Sequence, residues 1–329
     1  MMSNFVSSLL DTAIVPGFSR IGFLVRSRIN HWENVSSFGL TGKVIVITGP
    51  TSGLGKECVR ILAPTGAQLV LVARNKEKCE DVIASVREIC TGPDPVCVVA
   101  EMGDLHSVGM AAREIATRFP QISALVHNAG ALLNSREESP QGLEQTVASH
   151  VVGPHLLTTV LMPNLRAAQG RVVTVSSGGM YSAELPMIGH GRTLEMRSEI
   201  YNGSKQYAIA KRAQVTLNEL WAKHDPKVYF ACMHPGWADT PGVQESIPRF
   251  RQLTRPILRT VAEGADTIAW LASVQNVPGV SGSFWSDREV RPPHKLPSTR
   301  RKDTHDAREN LWRWCNEVIA PYLEEEVNS

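Results

Sequence analysis

Net charge is nearly absent from this chain: 34 Lys and Arg against 32 Asp and Glu leave +2 over 329 residues, with a pI near 8.2. A basic stripe of the kind that grips a phosphate backbone is missing, so nucleic acid is not an expected partner. Zinc spacing is missing too. The six cysteines (Cys58, Cys79, Cys90, Cys97, Cys232, Cys315) include no Cys-x-x-Cys, and several lie in apolar stretches. Neither a metal site nor a disulfide framework is expected, and a reducing, cytoplasmic setting is. Long apolar runs are also lacking: Ile21-Gly22-Phe23-Leu24-Val25 is far too short to span a bilayer, and Phe5–Leu10 has no basic start of a signal peptide. Residues 1–40 therefore read as an apolar and basic extension. With Arg20, Arg26 and Arg28 beside apolar residues, it either packs on its own domain or a partner, or lies peripherally on a membrane surface.

What is present begins with 43 % apolar residues, ample for a buried core. Val44-Ile45-Val46-Ile47 is a short, wholly apolar, β-branched run, as in a strand buried on both faces of a parallel sheet. Further strands are expected at Gln68–Ala73, Val96–Ala100, Ala124–His127, Arg171–Val175 and Val228–Met233. Between them lie helix-length patterns: one ending at Leu62, then Lys76–Cys90, Ser107–Arg118, Gln141–Leu165 and one ending near Lys223. Strand and helix in alternation imply right-handed crossovers and an α/β fold, a Rossmann-type doubly wound parallel sheet in a single domain. The domain spans 41–287, and 288–329 forms a C-terminal extension with a helix around Trp312 and Trp314.

Between the first strand and the first helix runs Gly49-Pro50-Thr51-Ser52-Gly53-Leu54-Gly55. A glycine-rich turn there lets backbone N–H groups and the positive helix end approach a pyrophosphate. The spacing Gly-x-x-x-Gly-x-Gly is neither the ordinary Gly-x-Gly-x-x-Gly fingerprint nor a P-loop. At the end of the second strand no carboxylate offers itself to a ribose 2′-OH. The sequence there is Val72-Ala73-Arg74-Asn75, and Arg74, with Lys56 near the glycine turn, suits a 2′-phosphate. NADP(H) is the favoured cofactor, with NAD(H) the alternative.

Tyr201–Lys211 holds two overlapping Tyr-x-x-x-Lys patterns, Tyr201 with Lys205 and Tyr207 with Lys211. Residues four apart share a helix face, where an ammonium would lower a phenol pKa by its charge. Asn202 and Ser204 are good N-caps and Gly203 disfavours a helix interior, so the helix should begin near Ser204. Only Tyr207 and Lys211 then fall on the same helix.

Thr48-Gly49-x-x-x-Gly53-x-Gly55, Asp104-Leu105, Asn128-Ala129-Gly130, Ser176-Ser177 and Pro235-Gly236-x-x-x-Thr240 resemble, in order and position, the compact branch of the short-chain dehydrogenases/reductases. Val175–Met180 and Met233–Val243 are similar to its retinol-dehydrogenase-like members. The resemblance implies hydride transfer between the cofactor and a small to medium carbonyl or alcohol substrate, lipophilic if those members are a guide. It makes Ser177, Tyr207 and Lys211 catalytic, in agreement with the helix-start argument. It gives Gly49, Thr51, Ser52, Gly53, Leu54, Gly55, Arg74, Asp104, Leu105, Asn128, Ala129, Gly130, Tyr207, Lys211, Pro235, Gly236 and Thr240 to the cofactor. Asp104 is otherwise a helix N-cap. Residues 181–200 form an insertion relative to the family, expected as a lid over the substrate. The family's usual asparagine, which holds a relay water, is replaced by His150, either a proton relay or a core histidine. His127 replaces another asparagine and is expected to be structural. An NADP-binding scaffold with little turnover is the alternative function, and an oligomer is compatible with the sequence.

Overall fold

In a computed structural model of the chain, residues 17–189, 193–246 and 248–323 are described, without side chains at 245 and 248–250. The Phe5–Leu10 stretch lies outside them. After α1 (Arg20–Ile29), the chain alternates β1 (Val44–Thr48), α2 (Gly53–Leu62), β2 (Gln68–Ala73), α3 (Lys76–Val86), β3 (Val96–Val99), α4 (Leu105–Arg118) and β4 (Ala124–His127). A long helical stretch follows: α5 (Gln145–Val147), a π-helical turn (Ala148–Val152) and α6 (Gly153–Ala167). Then come β5 (Arg171–Val175), α7 (Gly203–His224), β6 (Tyr229–Met233), α8 (Pro241–Ser246), α9 (Pro248–Thr254), α10 (Val261–Ser273), β7 (Phe284–Ser286), β8 (Glu289–Arg291), α11 (Pro297–Lys302) and α12 (His305–Leu323).

The strands form one sheet in the order 3-2-1-4-5-6-7-8, parallel except for β8. Strand polarity explains its two cores. Along β1, Ile45 and Ile47 point to the side covered by α2, α3 and α10, while Val46 points to the side covered by α4, α6, α7 and α12. All six expected strands are present, within a residue of their expected ends. The helix expected from Gln141 starts at Gln145, because Glu144 caps it by accepting from Val147 N, and Gln141 instead turns its amide to the start of α4.

The sheet runs past the expected end of the domain. Residue 287 falls in the β7–β8 turn, where Asp287 and Arg288 both take φ +54°. Two left-handed residues are what a two-residue hairpin loop requires, though glycine or asparagine usually supplies them. Here contacts hold an arginine in that conformation: Arg288 forks onto Asp266, donates to the Glu33 carbonyl and lies over the rings of Trp32 and Trp270. The described parts of both extensions pack on the domain. Phe23 and Arg26 of α1 are buried, Arg26 pairs with Asp287, and Arg20 pairs with Glu263. Of the three arginines that suggested a membrane surface, two are thus engaged within the protein. No helix among the described residues is long and apolar enough to cross a membrane. At the other end, α12 buries Ala307, Leu311, Cys315 and Ile319.

Candidate active site

β1 and β4 are neighbours, but the chain leaves them toward opposite sides of the sheet, which opens a crevice at their carboxyl ends. The glycine turn sits there. Gly49 and Gly53 take φ +65° and +49°, and a Cβ on Gly55 would lie 2.1 Å from the Gly49 carbonyl oxygen and 2.4 Å from Asn128 Nδ2. Only hydrogen fits at that point. Asn128 pins the turn by donating from Nδ2 to the carbonyls of Thr48 (3.1 Å) and Gly49 (3.0 Å), and Thr48 Oγ1 accepts from the amides of Asn128 and Ala129. Ser52, the N-cap of α2, makes no capping bond with its side chain, so the first helical N–H groups are not satisfied by it. Across the turn stands Thr240: a Cβ on Gly53 would be 3.5 Å from that of Thr240. These features fit a dinucleotide pyrophosphate. Asp104 caps α4 through His106 N and also accepts from Gln141 Nε2, the helix-cap reading of that residue, while the Leu105 side chain is buried in the core. Arg74 is exposed and meets Glu101 at 3.5 Å.

Asn202 caps α7 by accepting from Lys205 N, so Gly203 is the first helical residue, one place earlier than expected. A Cβ there would lie 1.8 Å from the Leu133 carbonyl oxygen, and this close approach outweighs glycine's poor helix propensity. Tyr207 and Lys211 therefore share a helix face, and Lys211 Nζ lies 5.3 Å from the centre of the Tyr207 ring. Tyr201 lies outside the helix and donates to Glu144 Oε1 at 2.9 Å, while Lys205 is exposed.

Buried Lys211 donates to the Val175 carbonyl (2.8 Å), and its own carbonyl accepts from Ser176 Oγ (2.9 Å), which ties α7 to the end of β5. The next residue, Ser177, caps a short 3-10 turn and faces the Tyr207 phenol. Burial lowers the Lys211 ammonium to about 8 and raises the phenol to about 12, with the Ser177 hydroxyl pulling the phenol the other way. The expected lowering of the phenol by Lys211 is not found. The ammonium sits over the ring and spends a proton on Val175, so burial prevails, and the phenol stays protonated at neutral pH.

His150 lies on the π-helical turn, edge-on to Tyr207 with ring centres 5.4 Å apart. Pro154 has no N–H for the carbonyl four residues back, that of His150, and Gln214 Nε2 donates to it at 2.8 Å. Sequence reasoning missed both Pro154, the visible signal for the broken helix, and the role of the Gln214 amide. The His150 ring is fully buried, and neither of its nitrogens has a partner among the described residues. Burial, then the Lys211 charge, hold it well below its usual pKa, so it is neutral. His127, by contrast, pairs with Thr158 Oγ1 at 2.7 Å, and burial takes it down to about 3, a structural role.

The short chain dehydrogenase family model matches residues 43–249. The chain belongs to that family. It is accordingly an oxidoreductase of CH–OH or C=O groups that binds a nicotinamide dinucleotide. It is similar to dehydrogenase/reductase SDR family member 12 of Bos taurus, at 35 % identity over 82 % of this chain and 84 % of that one. Human retinol dehydrogenase 12 is 29 % identical over 85 % of this chain and 87 % of its own length, and mouse polyprenol dehydrogenase 31 % over 77 % and 78 %. Among solved structures, a 3-ketoacyl-(acyl-carrier-protein) reductase from Brucella melitensis complexed with NADH superposes with a TM-score of 0.59, at 22 % identity, over 75 % of this chain and 96 % of that one. At that identity the likeness speaks for the fold alone.

Proposed function

We propose that this protein is an NADP(H)-dependent reductase and dehydrogenase of lipophilic carbonyls and alcohols, working through Ser177, Tyr207 and Lys211. The observation that carries the reading is Tyr207 and Lys211 on one turn of α7, with Ser177 facing the phenol beside the glycine-turn crevice. The cofactor, held by the glycine turn, Asn128 and the Pro235–Thr240 loop, would supply the hydride. In reduction, Tyr207 gives its proton to the substrate oxygen and Ser177 donates a hydrogen bond to that oxygen. Lys211 brings a positive charge to the ribose side of the pocket and repels protonation of His150. The apolar reading of the substrate rests on the likeness to the retinol and polyprenol dehydrogenases. Residues 181–200 would shape that substrate. Their described part is anchored rather than loose: Leu185, Ile188 and Leu194 are buried, and Gln206 holds Leu194 and Met196. A cytoplasmic setting accords with six free thiols.

The test is turnover of medium-chain and isoprenoid aldehydes and ketones with NADPH and with NADH. Efficient reduction with NADPH is the expected outcome. The neutral, buried His150 in the usual relay position favours a second reading, a dinucleotide-binding scaffold, and tight NADPH binding with no turnover across the panel would establish it. Cofactor choice is separable. Among the described residues Arg74 is bound only by a weak surface pair, which a 2′-phosphate would displace. Arg74→Ala should raise the Kd for NADPH by about 10- to 100-fold, the usual size of a charged hydrogen bond, and leave that for NADH within about twofold. Equal effects on both would argue against Arg74 as the 2′-phosphate ligand.

A further inference from the structure

Phe18 lies ahead of α1, outside the stretch matched by the family, yet it stands between two loops of the active site. Its ring meets His234 edge-on at 4.5 Å and Trp237 at 5.9 Å, on either side of Pro235-Gly236. Against its opposite side lies Gly178, immediately after Ser177: a Cβ on Gly178 would be 3.1 Å from Phe18 Cε2. The backbone is fastened as well as the ring. The Phe18 carbonyl accepts from Trp237 N at 2.8 Å. The flanking carbonyls of Gly17 and Ser19 each accept from the buried guanidinium of Arg259 at 3.2 Å, and that same guanidinium donates to the Pro235 carbonyl at 3.1 Å. Gly236 has φ +73°, and a Cβ there would strike the Arg259 guanidinium at 2.4 Å. The loop is thus moulded onto Arg259, and Arg259 onto residues 17–19.

We infer that residues 17–19 are part of the nicotinamide half of the pocket, with Phe18 a positioning residue that sets the Ser177 loop against the Pro235-Gly236 loop. The inference rests on the reading of the site as a dinucleotide pocket. Phe18 touches neither the glycine turn nor Arg74, so its influence is confined to one half of the ligand. That asymmetry separates a positioning role from a general loss of stability.

The test uses the full-length chain and four probes: NADPH and NADH, and the same molecules without nicotinamide, 2′-phospho-ADP-ribose and ADP-ribose. Phe18→Ala should weaken the better-bound dinucleotide about tenfold, the scale of the lost ring contacts with His234, Trp237 and Tyr181, while the matching nicotinamide-free probe binds within about twofold of wild type. Phe18→Tyr, which keeps the ring and borders a cavity of about 320 Å³, should restore binding. If Phe18→Ala does not fold, Phe18→Leu keeps the apolar volume without the ring edges and should show the same asymmetry. Equal weakening of both probes, or no weakening of either, overturns the inference while the dinucleotide reading stands. A wild-type chain that binds none of the four overturns both.

Discussion

Tyr207→Phe should cut carbonyl reduction by roughly 10²- to 10⁴-fold, the usual contribution of a positioned proton donor, and leave dinucleotide affinity nearly unchanged. The phenol is held near 12, so at neutral pH it carries the proton that reduction consumes. Phenylalanine keeps the ring between Lys211 and His150 and removes only the hydroxyl that carries that proton. Tyr201→Phe makes the contrast. Its hydroxyl donates to Glu144, a fully buried carboxylate. Losing that donor should cost about 1–3 kcal/mol of stability and leave kcat close to wild type. Turnover and thermal midpoint measured on both variants decide the matter, and a Tyr207→Phe enzyme with full turnover would refute the assignment.

The second large effect is expected at Asp287, which holds Arg259 behind the Pro235-Gly236 loop. Its carboxylate is 1 % exposed and receives two bonds from Arg259, at 2.5 and 2.9 Å, and one from Arg26. Burial alone would raise its pKa, but Arg259 and then Arg26 outweigh burial and hold it below the usual carboxylate value. Asp287→Asn keeps a residue that tolerates the left-handed backbone and removes only the charge. Leaving the arginines with an uncompensated buried charge should cost about 3–5 kcal/mol, on the order of 10 °C in thermal midpoint. The pH dependence follows from the direction of the shift. A depressed carboxylate stabilises the fold above its unfolded value, near 3.9, and that stability is lost as pH falls through the lower folded value. Wild type should therefore lose midpoint steeply below about pH 4, and Asp287→Asn should lose less of it over the same interval. A variant with an unchanged midpoint would show the arginines to be satisfied by other groups.

Legibility in the sequence followed the range of the interactions. The six strands with apolar runs could be read because each is four or more residues long and, apart from the edge strand β3, largely buried on both faces. β7 and β8 escaped because three residues carry no period, and their turn is Asp-Arg rather than a glycine pair. The helix bearing Tyr207 was readable from a local signal, the Asn202 cap. The capping box Thr260 and Glu263 at the start of α10 was an equally local signal that went unread. What no local pattern conveys is the environment that sets a pKa. Spacing put an ammonium beside a phenol, whereas packing put it above the ring, and the direction of the shift reversed. Phe18, Arg259 and Asp287 likewise have no motif, because each acquires its role from residues far away in the chain.

That distance also bears on how the molecule comes together. Arg26 and its partner Asp287 are separated by 261 residues, and Ser19 and Arg259 by 240. During synthesis the segment around Phe18 is made well before every group that holds it, and contacts of such sequence separation form slowly. β1 to β6 with their helices can assemble while residues 17–26 wait without a seat. Ser177, just past the end of β5, would then already be beside the sheet, and the Pro235-Gly236 loop would acquire its final shape only when the earliest-made of these residues docks last.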